Sequence, residues 1–533
     1  MRQLINDFSG GLNTRFRGNR IADNQSPELR NIRYTRLGAL TKKFGSSIIA
    51  VNAGSTTGAA FTAYAYALTG MTAEAMLVST QESPGAFWKT VNGTTFTSVF
   101  VFTGVDFTAQ NWPIHFATFG DLVYIFADWM NTRSWDNSTL TAITASTTVF
   151  PRTRHAAIFK NRIFAGYIYD GSGTRKSRLK WSNYADATIW VATNFEDIYA
   201  NDGTIITAIF TYGDELLIFK GPEFANQSFM HSKMFRLQGD TFDAANPQYS
   251  LDTIPLPPGV GLLSSDSIQI YQGRLIFLCN DGFYEYLGGG MAPKKISEII
   301  QDDIDDISTS TFNEYDSRAA SFVFNNRYYC SVRSTRNSSE GYNNRTYILD
   351  GDTWFMDIIS STADSFATGD GAGVYYTKFL GSIYMVPPTT STINGILTGT
   401  IRRLEIDAQF TENTQNDASA NVNASYLTKE FDLVNEVQFD TCFVHLRRQS
   451  SGTLTFEVNV DQREAVATSI DMTAPDTGNT ENSSSNLLRK QVLIGKRGRT
   501  IQFRFHNLAN TDFEIYGIEL YYAGVPSTRQ ALI

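Results

Sequence analysis

Phe119-Gly120-Asp121-Leu122-Val123-Tyr124 sets the pattern that decides the fold: an aromatic residue, a turn former, a polar residue, then an apolar strand. The same spelling returns at Phe159-Lys160-Asn161-Arg162-Ile163-Phe164, Tyr212-Gly213-Asp214-Glu215-Leu216-Leu217 and Tyr271-Gln272-Gly273-Arg274-Leu275-Ile276. It recurs at Phe324-Asn325-Asn326-Arg327-Tyr328-Tyr329 and Phe379-Leu380-Gly381-Ser382-Ile383-Tyr384. Gly and Asn tolerate positive φ, so they close tight hairpins whose twist suits the flanking strands. The intervals between Gly120, Asn161, Gly213, Gly273, Asn326 and Gly381 are 41, 52, 60, 53 and 55 residues, each long enough for one four-stranded sheet with loops. A weaker unit around Met76-Leu77-Val78 and Val91-Asn92-Gly93 precedes them and brings the count to seven.

A small sheet cannot bury both faces alone, whereas several stacked radially cover one another. The expected fold is therefore all-β, a seven-bladed β-propeller over residues 54–410; generic hairpins of sandwich domains are the competing reading. The hairpins Asn280-Asp281-Gly282-Phe283-Tyr284 and Asp350-Gly351-Asp352-Thr353-Trp354 are expected to supply outer strands of their blades. Three prolines, Pro255, Pro257 and Pro258, mark 247–261 as an exposed connection. Residues 411–424 read as a polar linker. A β-sandwich-like domain follows over 425–533, with alternation at Leu454, Phe456, Val458 and Val460 and again at Ile501, Phe503 and Phe505.

Composition agrees with an all-β chain. Among 533 residues are 38 Phe and 25 Tyr, types that pack well across a pleated surface. With 44 Lys and Arg against 53 Asp and Glu, the formal charge is −9, which argues against a protein that coats nucleic acid. Cys279, Cys330 and Cys442 read as buried free thiols of a reducing compartment. No secretory signal opens the chain, and no apolar run reaches the roughly 18 residues of a membrane helix, so no membrane segment is expected.

Residues 1–53 form a separate N-terminal arm, in which Arg15, Arg17, Arg20, Arg30, Arg33 and Arg36 outnumber Asp7, Asp23 and Glu28. Ser26 is placed to cap a helical turn through Pro27–Asn31. The arm packs on its own domain or docks on a neighbouring subunit through its arginines. The run Asp302-Asp303-Ile304-Asp305-Asp306 is the acidic acceptor for such a contact, and reads chiefly as a solvated face. Lys496, Arg497 and Arg499 read as a basic hairpin tip. The five histidines are scattered without metal-site spacing, and no phosphate loop or G-x-S-x-G turn occurs. No catalytic residue, metal ligand or cofactor is assigned, and the chain is expected not to be an enzyme.

The opening Asn6-Asp7-Phe8-Ser9-Gly10-Gly11-Leu12-Asn13-Thr14, with Asp23-Asn24-Gln25-Ser26-Pro27-Glu28-Leu29-Arg30-Asn31-Ile32 and Gly38-Ala39-Leu40-Thr41-Lys42-Lys43-Phe44-Gly45, resembles the start of bacteriophage tail structural proteins. Hub or nozzle proteins of short-tailed phages look like the nearest relatives. The resemblance implies a virion tail protein, made in the cytoplasm of the host bacterium. It implies a homo-oligomer, a hexameric ring below the portal and its adaptor or neck protein, that forms part of the channel for genomic DNA. It further implies an attachment surface for tail fibre or spike proteins, and DNA passing without sequence-specific binding. The alternative is a carbohydrate-binding propeller adhesin or receptor-binding tail protein.

Overall fold

The computed structural model describes the chain except residues 36–37, 44, 52–58, 82–85, 102–113, 128, 144–151, 170–172, 224–227, 243–247, 308–318, 336–342, 359–374, 387–399, 405–415, 418–419, 476–485, 510 and 526–533. The described strands form seven blade sheets and one ten-stranded sheet, and about 3% of the chain is helical. Blades one to six are antiparallel meanders whose first strand is innermost. Blade one runs Ala59–Tyr66, Ala75–Gln81, Ala86–Thr90 and Thr97–Val101. Blade three runs Arg152–Phe159, Arg162–Tyr169, Thr174–Trp181 and Phe195–Asp197. Blade four begins at Ile205–Tyr212, blade five at Gln269–Tyr271 and blade six at Ala320–Phe324.

All six quoted hairpins turn from the inner strand to the second, as in His115–Phe119 to Leu122–Phe126 of blade two. Their turn residues supply the left-handed backbone the reading required: Lys160, Asn161, Asn325 and Asn326 have φ of 46, 54, 47 and 59°. Adjacent inner strands meet through ring contacts, Tyr64 on Phe116 at 4.9 Å and Phe322 on Tyr376 at 4.5 Å. Two details differ from expectation. Gly282–Tyr286 is the third strand of blade five, whose outer strand is Lys294–Lys295, whereas Thr353–Ile358 is indeed the outer strand of blade six. Of the Pro-rich connection, Gln248–Ile254 is the outer strand of blade four, because no proline falls within it: Pro247 precedes it in the sequence and Pro255 follows.

Blade seven closes the ring with chain from both ends of the propeller. Tyr375–Phe379, Ser382–Val386 and Thr400–Leu404 are followed by Ser46–Ala50, which pairs antiparallel with Thr400–Leu404. Residues 1–53 are thus divided between the two bodies, because Ser46–Ala50 belongs to blade seven. The earlier residues join the C-terminal sheet. Arg2–Ile5 pairs with Ile518–Tyr521, Glu28–Arg30 with Ser425–Leu427, and Leu40–Thr41 with Glu514–Ile515. The helical turn expected after Ser26 does not form. Glu28–Arg30 is instead a strand paired with Ser425–Leu427, and the Ser26 hydroxyl lies 2.6 Å from both the Glu28 and the Leu427 carbonyl oxygens while it accepts the Glu28 N–H at 3.2 Å.

The C-terminal body is one strongly bent sheet, sandwich-like and nearly closed. Its longest strand, Leu487–Asn507, pairs with Phe431–Arg447 along its first part and with Thr453–Val460 along its second. Leu454, Phe456, Val458, Ile501, Phe503 and Phe505 are buried as the alternation required. A single core runs through both bodies: Phe8, Leu12, Leu29, Ile32 and Leu40 of the opening pack with Trp354 of blade six and with Tyr426 and Phe503 of the sheet.

Candidate functional site

The segment that carries the family resemblance is a clasp between propeller and sheet. Gly11 has φ of 70°, and a Cβ there would strike Thr353 and the Trp354 carbonyl, so only glycine lets this backbone approach blade six. The Leu12 N–H donates to that same carbonyl at 2.8 Å. Asn31, also left-handed at φ 56°, is the pin of the junction. Its Nδ2 donates to the carbonyls of Ile358 and Asn423 at 2.9 and 2.6 Å, and its Oδ1 accepts from the Ile358 N–H at 2.9 Å. One amide thereby ties arm, outer blade strand and the start of the C-terminal sheet.

The sequence-assigned arginines divide by environment. Arg33 makes a two-pronged pair with Asp357 of blade six, at 2.7 and 2.5 Å. Burial would push the Asp357 carboxyl up, but the charges of Arg33 and Lys43 outweigh it and hold the group below its usual range. Arg15 reaches Glu298 at 2.7 Å, and Arg30 lies 3.4 Å from Glu28. Arg17 and Arg20 are exposed, and Arg36 lies outside the described residues. Of the acidic run, Asp302 and Asp305 face solvent and Asp306 is half-buried. Asp303 departs from the solvated-face reading: it is buried and lies 3.3 Å from the equally buried Arg345, on the short turn Gln301–Ile304. Lys496, Arg497 and Arg499 are exposed but form no hairpin tip; they lie inside the 21-residue strand. That strand continues because Gly498 lets Val460 and Asp461 press against it where any Cβ would collide. Asp461 accepts the Arg499 and Thr500 N–H groups at 2.9 and 3.0 Å.

Two features escaped the sequence reading. Glu519 gathers four partners on the exposed face of the C-terminal sheet: Arg2 at 2.5 Å, Tyr521 at 2.6 Å, Arg489 at 3.0 Å and His445 Nε2 at 3.4 Å. Burial opposes its charge, but hydrogen bonds from Tyr521, Arg489 and His445 prevail and bring the carboxyl down to about 2. Through Arg2 this carboxylate fastens the first strand of the chain.

The second feature lies on the hairpin face of blade three. The excursion 182–194 carries exposed Tyr184, Ile189 and Val191 around a buried Trp190, whose indole N–H donates to the Ala187 carbonyl at 2.9 Å. Ala185, left-handed at φ 55°, donates its N–H to the Asn161 carbonyl at 2.8 Å, while Asn161 Nδ2 donates to the Tyr184 hydroxyl at 3.1 Å. Beside Asn161, Lys160 Nζ sits 3.0 Å from both Asp214 and Asp240 of blade four. Asn161 was visible in the sequence as a turn former; nothing local signalled that a loop some 20 residues later would fold back on it. Among the described residues no group of three or more His, Cys, Asp or Glu could hold a metal ion.

No family model and no curated protein matches the chain. Among solved structures it is similar to an exo-β-1,3-galactanase from Phanerochaete chrysosporium in complex with galactose, 9% identical over 90% of this chain and 100% of that one, with a TM-score of 0.26. It is similar also to PorZ of Porphyromonas gingivalis, 10% identical over 81% and 46% of the two chains with a TM-score of 0.35. A third is the computationally designed protein Ika8, 10% identical over 68% and 99% with a TM-score of 0.34. The propeller is defined by the chain's own seven sheets, and likeness at this level assigns no activity. It does correct the expectation that the chain is not an enzyme: glycoside hydrolases stand among the similar structures, so that exclusion is withdrawn.

Proposed function

We propose that the chain is a structural subunit of a phage tail hub or nozzle ring, a propeller-bearing protein that joins neck, fibre or spike partners around the path of the genome. The observation that carries this reading is the role of its opening. The residues that resemble tail proteins are those that clasp propeller to sheet, through Gly11, Leu12, Ser26 and Asn31. A sequence signature spent on joining two rigid bodies suits a part that must transmit load. In such a ring the genome runs between copies rather than along a propeller axis. Sheets pack about 10 Å apart, so seven inner strands enclose an opening that side chains narrow below the width of a duplex. The formal charge of −9 favours weak, sliding contact with phosphates over retention.

Electron microscopy of the purified chain, alone and with a neck protein from the same genome, tests the proposal. A ring that incorporates both is the expected result. A chain that stays monomeric and never enters tails refutes it. The exposed Tyr184 beside Asn161 favours a second reading, a carbohydrate-binding propeller that acts in attachment.

A further inference from the structure

We propose that the hairpin face of blade three, from Tyr184 through Asn161 to Lys160 and the carboxylates of Asp214 and Asp240, is a subsite for one neutral or amino pyranose of an oligosaccharide. The inference rests on the carbohydrate-binding reading of the chain and gives it a place and a specificity.

A pyranose presents a patch of C–H bonds on one face and hydroxyl groups around its rim. Its receptor needs an accessible aromatic face with donors and acceptors at the edge. Tyr184 supplies the face, with 62% of the residue exposed. Ile189 and Val191 of the same loop are exposed too. The patch is limited to these three side chains of a single loop and abuts charged groups. That is far short of the roughly 1,000 Å² that a stable protein interface covers, and it matches a sugar unit.

The edge chemistry is complementary. The Tyr184 hydroxyl accepts from Asn161 Nδ2 and so keeps its own proton to donate. Asp214 and Asp240 share one ammonium, Lys160 Nζ, and retain lone pairs for sugar hydroxyls. At the Lys160 end, away from Arg162 at the tyrosine ring, two carboxylates against one ammonium leave a surplus of negative charge, which repels sialic and uronic acids and accommodates an amino sugar.

The strip is also preorganised. Lys160, Asn161 and Ala185 all hold positive φ, and the Ala185 N–H to Asn161 carbonyl bond fixes the excursion to the hairpin turn. The tyrosine is pinned at its hydroxyl, and Arg162, whose guanidinium carbon is 5.9 Å from the ring centroid, donates to the Ser182 carbonyl at 2.8 Å. A receptor fixed in this way loses little conformational entropy on binding.

The test is a glycan array followed by calorimetric titration of the full chain. The probes are β-linked galactose, glucose, N-acetylglucosamine and glucosamine oligosaccharides, with sialylated and uronic-acid counterparts. The expected result is saturable binding of at least one neutral or amino oligosaccharide, weakened about tenfold or more in Tyr184→Ala, a change of about 1.4 kcal/mol, with hydrogen-exchange protection of the blade-three strands unchanged. Asp214→Asn combined with Asp240→Asn should weaken the neutral ligand and relieve the rejection of acidic ones. No saturable binding by the wild-type chain refutes the carbohydrate reading itself. Binding that Tyr184→Ala leaves intact refutes this site alone, and preferential binding of acidic glycans refutes the assigned specificity.

Discussion

Removing one partner of the Arg33–Asp357 pair should cost stability asymmetrically, and the asymmetry is set by which charges remain. The pair joins the arm strand Ile32–Tyr34 to the outer strand of blade six; both side chains are largely buried, with exposures of 17 and 11%. Breaking a buried ion pair on one side costs about 3–5 kcal/mol, because a charge is left without its partner in a poor solvent. Lys43 and Arg327 also act on the Asp357 carboxylate. Arg33→Met therefore leaves a carboxylate that still has two cations nearby, and should cost about 2–3 kcal/mol, below the usual range. Asp357→Leu takes the two-pronged partner from the buried Arg33 while Arg327 keeps Asp350 at 2.7 Å, and should reach the upper part, about 4–5 kcal/mol. The double variant removes both charges and should be less damaged than Asp357→Leu alone. A chain of this size will not unfold in one step, so a global midpoint is the wrong measure. Hydrogen exchange at the amides of Ile32–Tyr34 and Thr353–Ile358 reports the local opening free energy directly. Equal losses in the two single variants, or a larger loss in Arg33→Met, would refute the reasoning.

The same geometry sets three further outcomes. Burial raises the Asp512 carboxyl to about 6, only partly offset by hydrogen bonds from the Phe513 N–H and the Thr41 hydroxyl. Its folded pKa exceeds the unfolded value, so its charge costs stability as pH rises from about 4 through 6. The stability of wild type relative to Asp512→Asn should then fall by about 3 kcal/mol in all, about 2 of it between pH 4.5 and 7.5, measured as local opening by hydrogen exchange at the amides of Leu40–Lys42. Glu519 has the opposite sign. Its folded pKa of about 2 lies below the unfolded value near 4.5, so its contribution is present above pH 4.5 and is lost as pH falls towards 2; Glu519→Gln should speed exchange of the Arg2–Ile5 amides at neutral pH. Gly11→Ala should cost more than the 1–2 kcal/mol of a left-handed alanine, since its Cβ also meets Thr353 and Trp354, and should loosen the clasp to limited proteolysis.

The blades were legible because each announces itself locally. An aromatic residue, a Gly or Asn that accepts positive φ and an apolar run all fall within six positions, and the turns at Asn161, Gly213 and Asn326 needed nothing else. What stayed hidden depends on partners hundreds of residues away. Ser26 looks like a helix cap until Leu427 is beside it, and Ser46–Ala50 gives no sign that it completes a blade begun at Tyr375. Lys496–Arg499 reads as a turn because its glycine is ambiguous: here Gly498 makes room for Val460 in a strand that continues. Asp303 sits among exposed acids, yet its partner Arg345 lies on a different element. The Tyr184 strip shows both regimes, its turn predictable and its loop not.

The pairings of Arg2–Ile5 with Ile518–Tyr521, and of Ser46–Ala50 with Thr400–Leu404, make translation order matter. The segments the ribosome delivers early must wait, unpaired, until most of the polypeptide has emerged. A product interrupted anywhere before residue 400 lacks the partner of Ser46–Ala50 and so has an open ring and an unpaired edge strand. Neither closure can form before its later strand, residues 400–404 or 518–521, has been made.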